Sequence, residues 1–128
     1  MNISKEEINE YLANLKKAIR AGQCRIELND RRQDNRQLFI DYVIDEESAK
    51  QILLTLEVDD FSERLQNEHI GFEHEQLYVF GKDVSLLERF GNAIKTVSLY
   101  IKFNFVEQRY VIVISIHEQR YPMKYYFR

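Results

Sequence analysis

The stretch SLYIKFNFVEQRYVIVISIH, residues 98–117, decides the fold class. From Ser98 to Phe105 it alternates, with Leu99, Ile101, Phe103 and Phe105 on one side and Ser98, Tyr100, Lys102 and Asn104 on the other. A period of two is the pattern of a half-buried strand. Tyr110 to His117 is richer in Val and Ile, as expected of a central strand apolar on both faces, and turns polar at Ser115 and His117. The two runs predict a β-hairpin.

A loop of two residues, Glu107 and Gln108, or of four, Val106 to Arg109, pairs Lys102 with Val113, Tyr100 with Ser115 and Ser98 with His117. Either even loop puts Tyr100, Lys102, Ser115 and His117 on one face; an odd loop or a bulge would break that parity. Opposed side chains lie roughly 5 Å apart and diagonal ones roughly 7 to 8 Å, so the Tyr100 and His117 side chains can meet on one small ligand. These residue types suit metal-independent cleavage of RNA. An imidazole is the usual proton carrier, so His117 can take the proton of a ribose 2′-hydroxyl, Lys102 can neutralise phosphate, and Tyr100 can position the hydroxyl or stack on a base. The same three residues also occur together in inert sheets.

Working back from the hairpin, the pattern changes to helical. Ser4 and Glu7 form a capping-box pattern ahead of Ile8, Tyr11, Leu12, Leu15, Ala18 and Ile19, predicting a helix from Lys5 to Arg20 stopped at Gly22. An extended piece, Cys24 to Leu28, follows. Asn29 to Gln37 is wholly polar and reads as an exposed loop or helix start, with Arg31, Arg32 and Arg36 free to meet phosphate. A second helix is expected over Gln37 to Tyr42, and a third after Asp45 that buries Ala49, Ile52, Leu53 and Leu56. Asp59 or Asp60 is expected to cap one more turn reaching Leu65, with Phe61 and Leu65 inward. Leu77 to Phe80 reads as a strand, Gly81 as a turn, and Ser85 to Asn92 as a connecting excursion. The lone proline, Pro122, lies beyond the last strand.

The whole, residues 1–128, is expected to be one α+β domain with N-terminal helices packed on a C-terminal antiparallel sheet, since a chain of 128 residues supports one core. The single cysteine, Cys24, excludes an internal disulfide and a zinc cluster, which favours a reducing, cytoplasmic setting. No stretch has the roughly 18 apolar residues of a membrane span, so no membrane association is expected. Glu68, His69, Glu73, His74 and Glu75 lack the spacing of a helical metal motif and read as a solvated acidic loop, and no cofactor is expected. The formal net charge of −3 confines any RNA-binding surface to a local patch. The tail offers one: Arg120, Lys124 and Arg128 stand among Tyr121, Tyr125, Tyr126 and Phe127, a mixture that can pair phosphates and stack bases.

Short segments spread over most of the chain resemble the motility quorum-sensing regulator (MqsR) toxins, which have a RelE-like fold. They are Leu15 to Ile19 with Ala21-Gly22, Leu54 to Leu56 leading to Asp60-Phe61, Leu77 to Lys82, Leu99 to Phe103, Val113 to His117, and Tyr121-Pro122. The Tyr-x-Lys strand followed by Ile-Ser-x-His is the most specific part. The resemblance implies an endoribonuclease toxin that cleaves mRNA, free or on the ribosome, and is restrained by a cognate antitoxin protein. Under it, Tyr100 matches the family's active-site tyrosine and Lys102 the lysine beside it, while His117 lies where some members carry lysine. Glu63 stands where certain members place a lysine, which leaves Arg64 one position late as a substitute. Gln76 corresponds to a glutamine used near the following strand, and Lys82 closes a matching segment as an RNA contact. The rival expectation is a non-enzymatic module that holds a protein partner on the same sheet face.

Overall fold

The computed structural model describes residues 2–128. Helix α1 spans Lys5–Arg20, with the Ser4 hydroxyl accepting from the Glu7 backbone N–H at 3.1 Å. It ends at Gly22, whose φ of +76° is open to glycine without a side-chain clash. Strand β1 (Cys24–Ile26), α2 (Gln33–Asp41) and α3 (Glu46–Leu53) follow, and Asp45 caps α3 in a reciprocal capping box with Ser48. A short 3₁₀ turn, Val58–Asp60, leads into β2 (Phe61–Gln66), β3 (Gln76–Leu87), β4 (Ile94–Val106) and β5 (Tyr110–Glu118).

The five strands form one sheet in the order β1-β5-β4-β3-β2. The fold is α+β as expected, but the sheet is mixed: β1 runs parallel to β5, and only the other pairs are antiparallel. One face carries the core. Ile8, Leu12 and Leu15 of α1 and Ala49 and Leu53 of α3 close over Phe61, Phe80, Leu99, Ile101, Phe103, Val111, Val113 and Ile116. Tyr11 stacks on Tyr78 with ring centroids 3.8 Å apart.

Three expectations between the helices and the hairpin are corrected. The polar run resolves as a helix start, so α2 begins four residues earlier than Gln37. The predicted helical turn to Leu65 is strand β2, because the Asp60 carboxylate closes the 3₁₀ turn on the Glu57 N–H and Phe61 then turns extended. A β-bulge between Phe61 and Glu63 sends Phe61 inward, whereas Leu65, opposite Leu77, lies on the other face. Gly81 is no turn: β3 passes straight through it, opposite Tyr100. It lacks a side chain because the C-terminal tail crosses here, and a β-carbon would collide with the Tyr125 hydroxyl and the Met123 sulfur. The tail then reaches the β2 edge, where the Tyr126 N–H donates to Phe61 O at 3.0 Å and Ser62 Oγ donates to Lys124 O at 2.6 Å.

The hairpin departs from the expected register twice. Its loop is the odd one, Glu107 to Arg109, with φ of +52° at both Glu107 and Gln108, so Phe105 faces Val111 and Phe103 faces Val113. A bulge at Ile114 then shifts the register by one, and Lys102 faces Ser115 while Tyr100 faces His117. The odd loop swaps the faces of β5, and the bulge swaps them back.

Leu53 is fully buried and its truncation removes packing that the neighbours cannot refill, so Leu53→Ala should lower unfolding stability by about 2 to 5 kcal/mol. An unchanged denaturant midpoint would show that α3 does not face the core. The Tyr11 hydroxyl is buried without a hydrogen-bond partner among the described residues. Tyr11→Phe should therefore raise stability by about 1 kcal/mol, measured the same way, and a loss of stability would reveal an unseen partner.

Candidate active site

On the face of the sheet opposite α1, the registers place side chains in rows across the strands. One row is Glu63, Val79, Lys102 and Ser115; the next is Gly81, Tyr100 and His117. The structure thus brings Tyr100, Lys102 and His117 onto one face. The Tyr100 and His117 rings stack with centroids 5.1 Å apart and planes 10° from parallel. Because Gly81 offers no side chain beside Tyr100, the tail can lie close to the stacked pair.

His117 Nδ1 sits 2.8 Å from the backbone oxygen of Glu118. A carbonyl can only accept, so this contact selects the tautomer with hydrogen on Nδ1 and leaves Nε2 with the lone pair. The imidazole is thereby set up to take a proton at Nε2. Burial raises the pKa of the Tyr100 hydroxyl, and the nearby Glu63 carboxylate raises it further. Tyr100 stays protonated at neutral pH and can donate a hydrogen bond. Lys102 is half-buried, and its pKa is lowered by desolvation and by the Arg32 guanidinium, with Glu63 acting the other way.

Arg32, just before α2, was expected from the sequence only as one of three arginines free to meet phosphate, with no place beside Lys102. It lines a depression of about 370 Å³ with Lys102, Leu65, His69 and Ile114. It also lines a second hollow, of about 170 Å³, with Arg31, Ser115 and His117. Neither Arg32 nor Lys102 has a carboxylate within ion-pair distance among the described residues. The signal in the sequence was the arginine-rich polar run, which could not by itself say that Arg32 turns toward the sheet while Arg36 pairs with Asp30 at 2.7 Å.

The other expected residues divide. Arg120 lies beside His117 and pairs with Asp34 of α2. Arg64 points to the α1 side of the sheet and pairs with Glu7 at 2.9 Å, so it does not stand in for Glu63 on the Lys102 face. Gln76 opens β3 at the far end, lining a hollow with Tyr11 and Tyr78 away from the stacked pair. Lys82 and Arg128 converge on the buried Asp60 carboxylate at 3.1 and 3.4 Å, and Arg128 also lies over the Tyr125 ring at 3.9 Å. These two line a cleft of about 650 Å³ under the tail, with Arg120 at its border with the His117 side. Lys124 is exposed at the β2 edge, and its ammonium has no partner among the described residues. No three His, Cys, Asp or Glu side chains among the described residues are grouped to share a metal ion. No helix among the described residues is long and apolar enough to cross a membrane.

No known protein family, curated protein or solved structure matches the chain.

Two positive groups this close repel, which gives a direct check of the Lys102 surroundings. Arg32→Ala should move the Lys102 pKa upward, toward that of an ordinary lysine, in an NMR titration of the side-chain nitrogen. A downward or absent shift would mean that the guanidinium does not face Lys102.

Proposed function

We propose that the face carrying Tyr100, Lys102 and His117 binds RNA and cleaves it by attack of the ribose 2′-hydroxyl on the adjacent phosphate. One observation carries this reading: a stacked tyrosine–histidine pair, its imidazole Nε2 left with the lone pair, stands next to Lys102 and Arg32, neither of which has an ion-paired carboxylate among the described residues. His117 Nε2 takes the proton of the 2′-hydroxyl. The 2′ oxygen bonds to phosphorus, and the 5′ oxygen leaves and takes a proton from solvent. Lys102 and Arg32 hold the non-bridging oxygens as charge builds on them. Tyr100, kept protonated, donates a hydrogen bond to the reacting phosphate or its departing oxygen. No resident metal or organic cofactor has a step here.

The resemblance to the MqsR toxins supports the same reading and extends it to mRNA as substrate, to a RelE-like toxin domain acting in the cytoplasm, and to an antitoxin protein as natural restraint. The overall charge of −3 is no obstacle to this reading, because what meets RNA is the local field of the face. The ribosome or the antitoxin would supply further binding.

A second reading, a non-enzymatic module for a protein partner, is favoured by a different observation. Ile40, Val43, Leu87, Phe90 and Ile94 are all exposed, Phe90 at 83%, where the tip of the β3–β4 hairpin meets the end of α2. Exposed apolar groups gathered in this way mark interaction surfaces. Both readings accommodate a partner there; only the first requires chemistry at His117.

The test separates the two. His117→Ala should abolish cleavage of a single-stranded RNA by the purified protein while leaving the fold intact, and Lys102→Ala should lower the cleavage rate more than the affinity. Neutralising Lys124, whose ammonium has no partner among the described residues, should instead weaken binding and flatten its salt dependence by about one unit per lost phosphate contact. Cleavage at wild-type rate in the His117 and Lys102 variants would remove this face from the chemistry. Absence of RNA binding at low salt would leave the protein-binding reading.

A further inference from the structure

We propose that Asn35 is a positioning residue for the Tyr100–His117 pair: its side-chain amide holds the β5 bulge that brings His117 onto the face of Tyr100. The inference rests on the role given above to that pair, but its geometry is independent of any reaction.

Next to the loop, Phe103 faces Val113. Were that register continued without a bulge, Tyr100 would face Ile116 and His117 would face Leu99, pointing into the core. Instead one extra residue is taken up at Ile114, and Tyr100 faces His117. A bulge leaves backbone groups that the ladder no longer pairs. On the β1 side these groups have no strand to meet, because β1 ends at Ile26, opposite Val113, and the last backbone bond there is Glu27 N–H to Val113 O at 3.1 Å.

Asn35 takes the place of the missing strand. Its Nδ2 donates to Ile114 O at 2.9 Å, its Oδ1 accepts from the Ile116 N–H at 2.9 Å, and Nδ2 also donates to Glu27 O at 2.8 Å. The side chain is buried, with 1% of the residue exposed. A primary amide has two N–H donors beside its acceptor, so it can do what a peptide group does for a neighbouring strand and hold one more carbonyl besides. Aspartate is the same size but has no donor, and its carboxylate would face two carbonyl oxygens. The neighbours of Asn35 in sequence add to the arrangement: Arg32 stands beside Lys102, and Asp34 holds Arg120 next to His117. The start of α2 therefore places several groups of the site at once.

The experiment follows the stacked rings by NMR, through the contacts between Tyr100 and His117 ring protons, in the wild-type chain and in Asn35→Ala, Asn35→Asp and Leu38→Ala. Leu38 is buried on the same helix, and its apolar side chain cannot hydrogen-bond to the β5 backbone, so its variant controls for general loosening. The ring contacts should be lost in both Asn35 variants and kept in Leu38→Ala. RNA cleavage should fall by about 100-fold in kcat in the Asn35 variants, the loss expected when reacting groups are misplaced by about an ångström, with a much smaller change in KM. Should the Asn35 variants fail to fold, amide exchange in the wild-type chain decides: the Ile116 N–H should exchange as slowly as the central strand amides. Ring contacts retained in Asn35→Ala, equal loss in Leu38→Ala, or fast exchange at Ile116 would each overturn the proposal. If the contacts depend on Asn35 but the wild-type protein leaves RNA uncut, the positioning stands and the nuclease reading falls.

Discussion

Each residue of a β-strand belongs to one face of its sheet or the other, and the β4–β5 hairpin is governed by that parity. The odd loop at Glu107 to Arg109 would by itself turn His117 into the core and Ile116 out beside Tyr100. The bulge at Ile114 reverses the exchange, so that Ile116 is fully buried and His117 stacks on Tyr100. Burial enforces the solution. A histidine at the Ile116 position would leave polar groups unpaired in a core, and an isoleucine at the His117 position would be left on an open face.

The positive groups of the protein sort by whether a carboxylate has claimed them. Arg64, Lys82, Arg120 and Arg128 are held by Glu7, Asp60 or Asp34, where they tie helix α1, the 3₁₀ turn, helix α2 and the tail to the sheet. Lys102 and Arg32 stand side by side, partly shielded from water and without an ion-paired carboxylate among the described residues, so that an anion arriving there gains more than it would at a fully solvated site. The tail completes the setting by crossing the sheet at Gly81, where any side chain would push it off.

What could be read from the sequence was what local periodicity dictates. The Ser4–Glu7 capping pattern and Gly22 gave α1 its limits and the apolar spacing from Ile8 to Ile19 its buried face, Asp45 announced α3, and the alternation from Ser98 to Phe105 placed Tyr100 and Lys102 together. Features set by distant partners were hidden. Asp59 and Asp60 look like a helix start, yet Asp60 closes a single 3₁₀ turn and anchors Lys82 and Arg128, which come 22 and 68 residues later. Gly81 looks like a turn because the tail that requires a glycine there is far away in the chain. The parallel pairing of β1 with β5, and the bulge that Asn35 bridges from 79 and 81 residues away, leave no local trace at all. Tyr100 and His117 were expected near each other on an even loop, and they meet through an odd loop and a bulge instead.

The central claim is that this face directs the 2′-hydroxyl of RNA at its own phosphate, and the chemistry of the new ends reports on it most directly. The purified protein would be incubated with a defined single-stranded RNA in the presence of a chelator, and the ends of the fragments identified. The account predicts a 2′,3′-cyclic phosphate or its 3′-phosphate hydrolysis product on one fragment and a 5′-hydroxyl on the other, because the 2′ oxygen is the nucleophile. Fragments ending in 3′-hydroxyl and 5′-phosphate, or cleavage that the chelator stops, would contradict it.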